Sequence, residues 1–285
     1  MLEQRIYHGD NLELLPRLPD GAFTLIYVDP PFNTGREQRR LTLATRRDDA
    51  GDRTGFGGRR YRTEVVGSRG YADRTDDYLA YIEPRVHEAR RLLNERGTFY
   101  FHIDYREAHY CKVLLDEIFG RECFLNEIVW AYDYGARSKR RWPAKHDTIL
   151  VYVKDPQRYH FDAEAVDREP YMAPGLVTAE KAAKGKLPTD VWWHTIVSPT
   201  GKEKTGYPTQ KPEGILRRIV QASTREGDWV LDFFAGSGTT GAVAATLGRR
   251  FVLVDENPEA IEVMRARFAG IAGVRFEVGV PASAG

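Results

Sequence analysis

Asp29-Pro30-Pro31-Phe32 follows directly on the apolar run Phe23-Thr24-Leu25-Ile26-Tyr27-Val28, and that placement gives the tetrapeptide a chemical reading. The two prolines stiffen the turn and fix the direction of the carbonyls before them. The Asp29 carboxylate can accept one hydrogen bond from an exocyclic amino group, and the Pro30 carbonyl can accept the other. Two such acceptors pull the amino nitrogen out of the plane of its ring, so that its lone pair localises and can attack an electrophilic carbon. Phe32 offers a flat face to an extruded ring, a contact worth about 1–3 kcal/mol in single-strand binding. Taken alone, the motif is equally a rigid turn carrying an incidental aspartate.

A second cluster, Asp232-Phe233-Phe234-Ala235-Gly236-Ser237-Gly238, closes the apolar run Trp229-Val230-Leu231. Glycines between a strand and a helix let the backbone approach a ligand and expose amide groups at the helix N-terminus. Asp255 ends the next predicted strand, 19 positions after Gly236, close to the separation at which an acid binds ribose hydroxyls in dinucleotide folds. A phosphate-binding loop fits poorly, because Ala242 and Val243 stand where its Lys-Ser/Thr pair belongs. A nicotinamide cofactor fits less well than another nucleoside, because the third glycine of that fingerprint is missing.

These groups need strands and helices to hold them. Residues 2–8 predict a short strand, 11–18 a short helix and 23–28 a buried strand. Residues 33–74 are rich in Gly, Arg, Thr and Asp and read as a long mobile loop, of a length that tends to be functional. Thr75 or Asp76 can cap a helix that carries Tyr78, Leu79, Ile82, Val86, Ala89, Leu92 and Leu93 at helical spacing. A strand follows over 98–103, a helix over 105–119, and strands over 127–130 and 148–153. Residues 155–206 hold five prolines and little periodicity, the pattern of an inserted recognition segment. Beyond it come a helix over 213–223, strands at 229–231 and 250–254, helices from 239 and 258, and a last strand over 274–278. This alternation predicts an α/β fold with a mostly parallel, doubly wound sheet covered on both faces.

The 285 residues are 42% hydrophobic and 12% aromatic, enough for one large α/β domain with insertions and against disorder. No run of about 18 apolar residues is present, which predicts no membrane span, and the first residues lack a signal pattern. Cys111 and Cys123 stand in no metal-ligand spacing; neither a metal site nor a disulfide framework is expected, and the pattern suits a reducing cytoplasm. The net charge of +1 is uninformative, but its distribution is not. Residues 36–74 hold 11 arginines against six acids, and Arg137, Lys139, Arg140, Arg141 and Lys145 cluster around Trp142. Such basic loops suit phosphate contacts, although a solvated surface has the same composition.

With these blocks in order, the chain resembles the amino-directed DNA methyltransferases of the permuted β class, in which the catalytic motif precedes the cofactor motif. The resemblance rests on His8-Gly9-Asp10-Asn11, Asp29-Pro30-Pro31-Phe32-Asn33, and Tyr207-Pro208-Thr209-Gln210-Lys211-Pro212-Glu213. It rests equally on Gly227-Asp228-Trp229-Val230-Leu231-Asp232 running into Gly236-Ser237-Gly238-Thr239-Thr240. Segments 97–104 and 116–120 are similar to type III modification subunits. The resemblance implies a Rossmann-like S-adenosylmethionine-dependent fold with circularly permuted motif order. Residues 1–154 would form its catalytic half, 155–206 a target-recognition insertion and 207–285 its cofactor half.

By the same resemblance, Asp29, Pro30, Pro31 and Phe32 hold and stack the target base, and Asp10 contacts the cofactor adenine. Asp255 would bind the ribose, with Asp232, Phe234, Gly236, Ser237 and Gly238 around the methionyl end and Lys211 and Pro212 nearby. Phe233 replaces a usual proline, and Phe32 a usual tyrosine. The implied reaction is direct methyl transfer to adenine N6 in a base flipped from double-stranded DNA, without a metal. Cytosine N4 is the alternative target, since Asp before the double proline favours adenine only as a family tendency. An RNA or protein-amide methyltransferase, or a non-catalytic nucleic-acid-binding module, are readings of other classes. The class allows a homodimer, and no restriction partner can be read from the chain.

Overall fold

The computed structural model describes residues 2–33, 36–47, 53–54, 60–73, 77–133, 138–198 and 200–279. By its contacts the chain divides into a large unit, Met1–Phe32 with Asp77–Gly285, and a small one, Asn33–Asp76.

The chain opens with β1 (Arg5–His8), α1 (Asn11–Leu14) and β2 (Phe23–Val28). The small unit follows as β3 (Arg36–Arg47), β4 (Arg53–Thr54) and β5 (Arg60–Asp73). The large unit resumes with α2 (Tyr78–Leu92), β6 (Leu93–Ile103), α3 (Ala108–Phe119), β7 (Phe124–Ala131) and β8 (His146–Val153). Then come α4 (Ala179–Lys184), β9 (Val191–Trp193), α5 (Glu213–Ser223) and β10 (Trp229–Asp232). The last elements are α6 (Thr239–Thr246), β11 (Arg250–Asp255), α7 (Pro258–Phe268) and β12 (Arg275–Val278).

Nine strands form one sheet in the order β12-β1-β11-β10-β2-β6-β8-β7-β9. All neighbours are parallel except β8, which runs antiparallel to both β6 and β7. Strand β2 is buried at every position, which is why it reads as a continuous apolar run and not as an alternation. Its residues divide between two cores. Phe23, Ile26 and Val28 pack with α2 and α3; Leu25 and Tyr27 pack on the face held by α5, α6 and α7. The mostly parallel, doubly wound sheet read from the sequence is therefore present.

The adjacency of β2 and β10 decides where a ligand can sit. From β2 the chain crosses by α2 to β6 on one side, and from β10 it crosses by α6 to β11 on the other. The two connections diverge and leave a crevice at the carboxyl ends of the strands, the usual ligand position in open α/β sheets. Asp29 and Asp232 stand at that edge.

Two readings of the sequence are corrected. Residues 33–74 are not a structureless loop: β3 pairs antiparallel with β5 from Arg36↔Asp73 to Arg47↔Tyr61, and β4 adds a third strand. Threonine, valine and tyrosine in 61–71 favour strands, a preference masked by the glycines and arginines among them. Helix α2 is capped by Asp77, whose carboxylate accepts the Ala80 N–H at 3.0 Å, and not by Thr75 or Asp76. Segment 155–206 is tied to the body. The Asp162 N–H donates to the Ala222 carbonyl at 2.8 Å, Arg217 pairs with Asp167 at 2.6 Å, and β9 extends the sheet beside β7. Among the described residues no helix is long and apolar enough to cross a membrane.

Candidate active site

Asp29 leaves β2 with Pro30 buried behind it and Phe32 half-buried. The Lys211 ammonium ion-pairs with Asp29 Oδ2; the two side chains are only 13% and 15% exposed. Its Nζ also lies 5.0 Å from the centre of the Phe32 ring. The other carboxylate oxygen, Oδ1, is buried and has no hydrogen-bond partner among the described residues. Its neighbour is Nδ1 of His102, 3.8 Å away.

His102 lies on β6 and is fully buried. The Tyr27 hydroxyl is 2.7 Å from its Nδ1, and Asp147 Oδ2 is 3.2 Å from its Nε2. Tyr132 donates its hydroxyl to Asp147 Oδ1 at 3.0 Å. Phe32 and Trp130 flank the imidazole, each with ring centres 5.6 Å away. Burial works to raise the Asp147 carboxyl, but the hydrogen bond from His102, the Lys211 ammonium and the Tyr132 hydroxyl prevail and hold it below its ordinary range. Burial, then the charges of Asp29, Asp232 and Asp147, push the Tyr27 hydroxyl well up, so it stays protonated. Sequence reasoning missed this network. The signal was a histidine in the apolar run 98–103, since a buried polar residue is the informative exception in a core strand.

On the other side of the crevice, the turn between β10 and α6 is built on left-handed glycines, Gly236 with φ +51° and Gly238 with φ +73°. A Cβ at Gly238 would stand 2.8 Å from Met264 Cγ and Phe268 Cε2, and one at Gly236 3.3 Å from Tyr207 Cε1. Asp255, at the end of β11, accepts the N–H groups of Gly236 at 2.7 Å and Asn257 at 2.8 Å. Burial raises its carboxyl to about 6 against those hydrogen bonds. Asp232 is buried and accepts from Thr240 Oγ1 at 2.6 Å and from Phe234 N–H at 3.0 Å. Burial, with the charges of Asp29 and Asp255 adding to it, lifts its carboxyl to about 7. Both its oxygens are committed to shaping the turn. Ser237 is also turned inward, its hydroxyl 3.1 Å from that of Thr239.

The N-terminal block reaches the same edge. Asp10 caps α1 by accepting the Leu12 N–H at 2.9 Å and lies 3.6 Å from Arg85 Nη2. Arg85 donates to Asn11 Oδ1, and Asn11 Nδ2 donates to the Phe233 carbonyl, both at 2.8 Å. The guanidinium lies over the Tyr81 ring at 3.8 Å, and Phe234 is 6.3 Å from the same ring. Phe233, at the position of the usual proline, is buried in the core. Lys211 sets its ammonium on Asp29, while its carbonyl accepts the Thr239 hydroxyl at 3.2 Å. It spans the two motifs. Pro212 is buried just before α5.

Of the basic cluster, Lys139, Arg140 and Arg141 are exposed, as is Trp142, and Lys145 is half-buried; Arg137 lies outside the described residues. The loop joins β7 to β8 at the Ala131↔His146 end, and Ile103↔Thr148 places that end at the carboxyl end of β6, the edge that carries Asp29. A cavity of ≈540 Å³ lies elsewhere, toward the amino ends of β6 and β7, lined by Thr98, Asn126, Trp192 and Arg218. It holds none of the crevice acids. Among the described residues no group of three His, Cys, Asp or Glu side chains is placed to hold a metal ion.

The model of a DNA methylase family matches residues 23–266 of the chain. The DNA adenine methyltransferase YhdJ of Escherichia coli (strain K12) is 30% identical over 266 residues, covering 90% of this chain and 80% of YhdJ. The solved M1.HpyAVI–SAM complex superposes with a TM-score of 0.59 at 22% identity, over 93% of this chain and 98% of that one. The cytosine-N4-specific PvuII DNA methyltransferase superposes with a TM-score of 0.64 at 18% identity, over 95% and 89% of the two chains.

Proposed function

The chain belongs to the DNA methylase family, and from that premise we propose that it transfers a methyl group from S-adenosylmethionine to N6 of adenine in DNA. The observation that carries the reading is the meeting of two motifs at one crevice. Asp29 follows β2, the glycine turn follows the adjacent β10, and Lys211 touches both. The turn suits a nucleoside cofactor, because the left-handed Gly236 and Gly238 carry the chain tightly from β10 into the N-terminus of α6, and because Asp255 ends the next strand. Asp10 and Asp255 would hold the adenosine, with Phe234, Gly236, Ser237 and Gly238 around the methionyl end. Asp232 shapes the turn from behind, and Pro212 sets Lys211 at its rim.

When bound, S-adenosylmethionine supplies an electrophilic methyl carbon on its sulfonium. Asp29 and the Pro30 carbonyl accept the two hydrogens of the target amino group, Pro31 fixes the turn, and Phe32 stacks on the base. The amino nitrogen, held by Asp29 and the Pro30 carbonyl, would be the nucleophile, with sulfur as the leaving group. Most of the rate gain comes from alignment and from acceptors placed for the positive charge that develops on nitrogen. No thiol adduct is involved: Cys111 is buried, and burial pushes its thiol up to about 12. A base stacked in a duplex cannot reach such a crevice, so the target is flipped out of double-stranded DNA at a cost of a few kcal/mol. Lys139, Arg140, Arg141 and Lys145, with Arg137 in the same basic stretch, would meet phosphates at the same edge. Residues 155–206 would read the target between a catalytic half, 1–154, and a cofactor half, 207–285.

Adenine is favoured because Asp29 precedes the double proline and because the relative at 30% identity is an adenine methyltransferase. The test is mass spectrometry of nucleosides from DNA incubated with the protein and isotopically labelled S-adenosylmethionine. Labelled N6-methyladenine is expected. Labelled N4-methylcytosine would overturn the base and keep the site, and unlabelled DNA would overturn the reading.

A further inference from the structure

The methylated amino nitrogen must lose a proton, and the group that takes it is the open step of the reaction. Resting on the reading of Asp29 above, we infer that His102 is a positioning residue that, acting through Asp29, receives this proton in a buried Asp29–His102–Asp147 relay. Three observations carry it. His102 is fully buried, and such burial is costly unless both ring nitrogens are bonded. They are, by Tyr27 and Asp147. The remaining neighbour, Asp29 Oδ1, is buried without a hydrogen bond among the described residues, 3.8 Å from Nδ1.

The partners assign the tautomer. Asp147 is held in its charged, accepting form by His102, Lys211 and Tyr132 despite burial, so Nε2 carries the hydrogen. Nδ1 then has a lone pair, which accepts the hydroxyl of Tyr27. An ionised Asp29 Oδ1 and a bare Nδ1 are two acceptors face to face, which accounts for the missing hydrogen bond. A proton arriving on Asp29 reverses the relation: an Oδ1–H would have Nδ1 as its natural partner.

The step balances without a further reactant. Once the N–C bond has formed, the amino nitrogen bears two hydrogens and a positive charge. One proton passes to the Asp29 carboxylate, and the N–H pair returns to nitrogen. Asp29 hands the proton from Oδ1 to Nδ1, re-forming its carboxylate, while the Tyr27 hydroxyl turns from donor to acceptor. The imidazolium rests on the Asp147 carboxylate and loses its proton to solvent after the products leave. The groups facing this path are Tyr27 and Asp29 from β2 and its turn, and Asp147 from β8. Lys211 is ion-paired with Asp29 Oδ2 and also acts on Asp147 by charge, Tyr132 lies beyond β7, Asp104 and Arg106 act on Tyr132, and Asp232 acts on Tyr27.

Two measurements test the relay. The first is nitrogen NMR of the protein labelled in its histidine rings, with the His102 signals identified by their loss in His102→Gln. A protonated Nε2 and a bare Nδ1 are expected in the free protein; a proton on Nδ1 would overturn the relay, since no lone pair would face Asp29. The second is single-turnover methylation at saturating cofactor across pH. His102→Gln should lower the rate by about 10²-fold or more, leave cofactor affinity within about twofold by calorimetry, and lose the fall in rate on the acid side. Asp147→Asn keeps the imidazole but removes the anion behind it, so the acid-side fall should move to lower pH. A His102→Gln rate within about threefold of wild type with the same pH profile would refute the proposal. Should that variant fail to fold, an unmoved profile in Asp147→Asn would refute it instead. If the wild-type protein itself puts no methyl group on DNA, the functional reading falls and the relay with it; active wild type with indifferent variants removes the relay alone.

Discussion

If Asp255 holds the cofactor ribose as proposed, cofactor binding should depend on pH in a way its surroundings define. Burial raises its carboxyl to about 6, roughly two units above an ordinary aspartate and on the order of 3 kcal/mol between its two protonation states. The native protein therefore holds this proton more tightly than the unfolded chain. The associated stability is complete below about pH 4 and is lost as pH rises through about 6. With Asp255 on the ribose as proposed, ligand binding should run the other way, because a carboxylate accepts hydroxyls only in its ionised form. If only that form binds, affinity follows the ionised fraction, roughly one-eleventh at pH 5, one-half at pH 6 and ten-elevenths at pH 7. Affinity should thus rise about tenfold, or about 1.4 kcal/mol, between pH 5 and 7 and level off above that. Calorimetric titration with S-adenosylhomocysteine over this range measures it. Asp255→Asn should bind more weakly and lose the slope. A flat wild-type profile, or a variant that kept the tenfold rise, would refute the assignment of Asp255 to the ribose.

Three further outcomes follow from the same geometry. Asp29→Ala should lower turnover by at least about 10²-fold while cofactor affinity changes less than about twofold; most of the activity surviving in a rapid-quench assay would remove Asp29 from the chemistry. Gly238→Ala must hold a left-handed backbone and place a Cβ 2.8 Å from Met264 Cγ. It should lose at least about 1–2 kcal/mol, read as a lower melting temperature, and weaken cofactor binding; an unchanged melt would contradict the packing described. Replacing both Arg140 and Arg141 by Ala should flatten the dependence of DNA affinity on salt by about 0.9 logarithmic units for each phosphate that is no longer neutralised, and an unaltered slope would take that loop off the DNA.

What could be read in the sequence follows the range of the interactions. The strands before Asp29, Asp232 and Asp255 were legible because an apolar run, an acid and a turn are contiguous. The three-stranded unit in 33–76 was not. There the strand-favouring residues are diluted by arginine and glycine, and pairing connects residues as distant as Arg36 and Asp73. The cap of α2 was misplaced by one or two positions, because Thr75, Asp76 and Asp77 are all good caps and only the packing of Tyr78, Ile82, Val86 and Ala89 chooses among them. Lys211 was placed by its motif, but its long stem decides what the ammonium touches, and it reaches Asp29 across 182 residues. His102 and its partners lie 75 and 45 residues apart. The register of β6 against β2 and β8 creates that network, and no local spacing betrays it.

The permuted order of the motifs matters less than where the first strand goes. β1 does not lie beside its sequence neighbour β2; it is inserted between β11 and β12, parallel to both, with His8 opposite Asp255. The Gly9 N–H donates to the Asp255 carbonyl at 3.1 Å, and this puts Asp10 beside the acid at the end of β11, although most of the chain separates them. Residues 207–285 therefore rely on β1 of the N-terminal segment to complete their part of the sheet. Without residues 5–8, β11 and β12 would lose the strand that joins them, and the glycine turn would lose the Asn11–Phe233 hydrogen bond that ties it to α1. The first and last parts of the chain share one sheet, knit at β1 on one side and at the β2–β10 pair on the other. A cut near residue 206 would open both seams and leave neither half with a complete crevice.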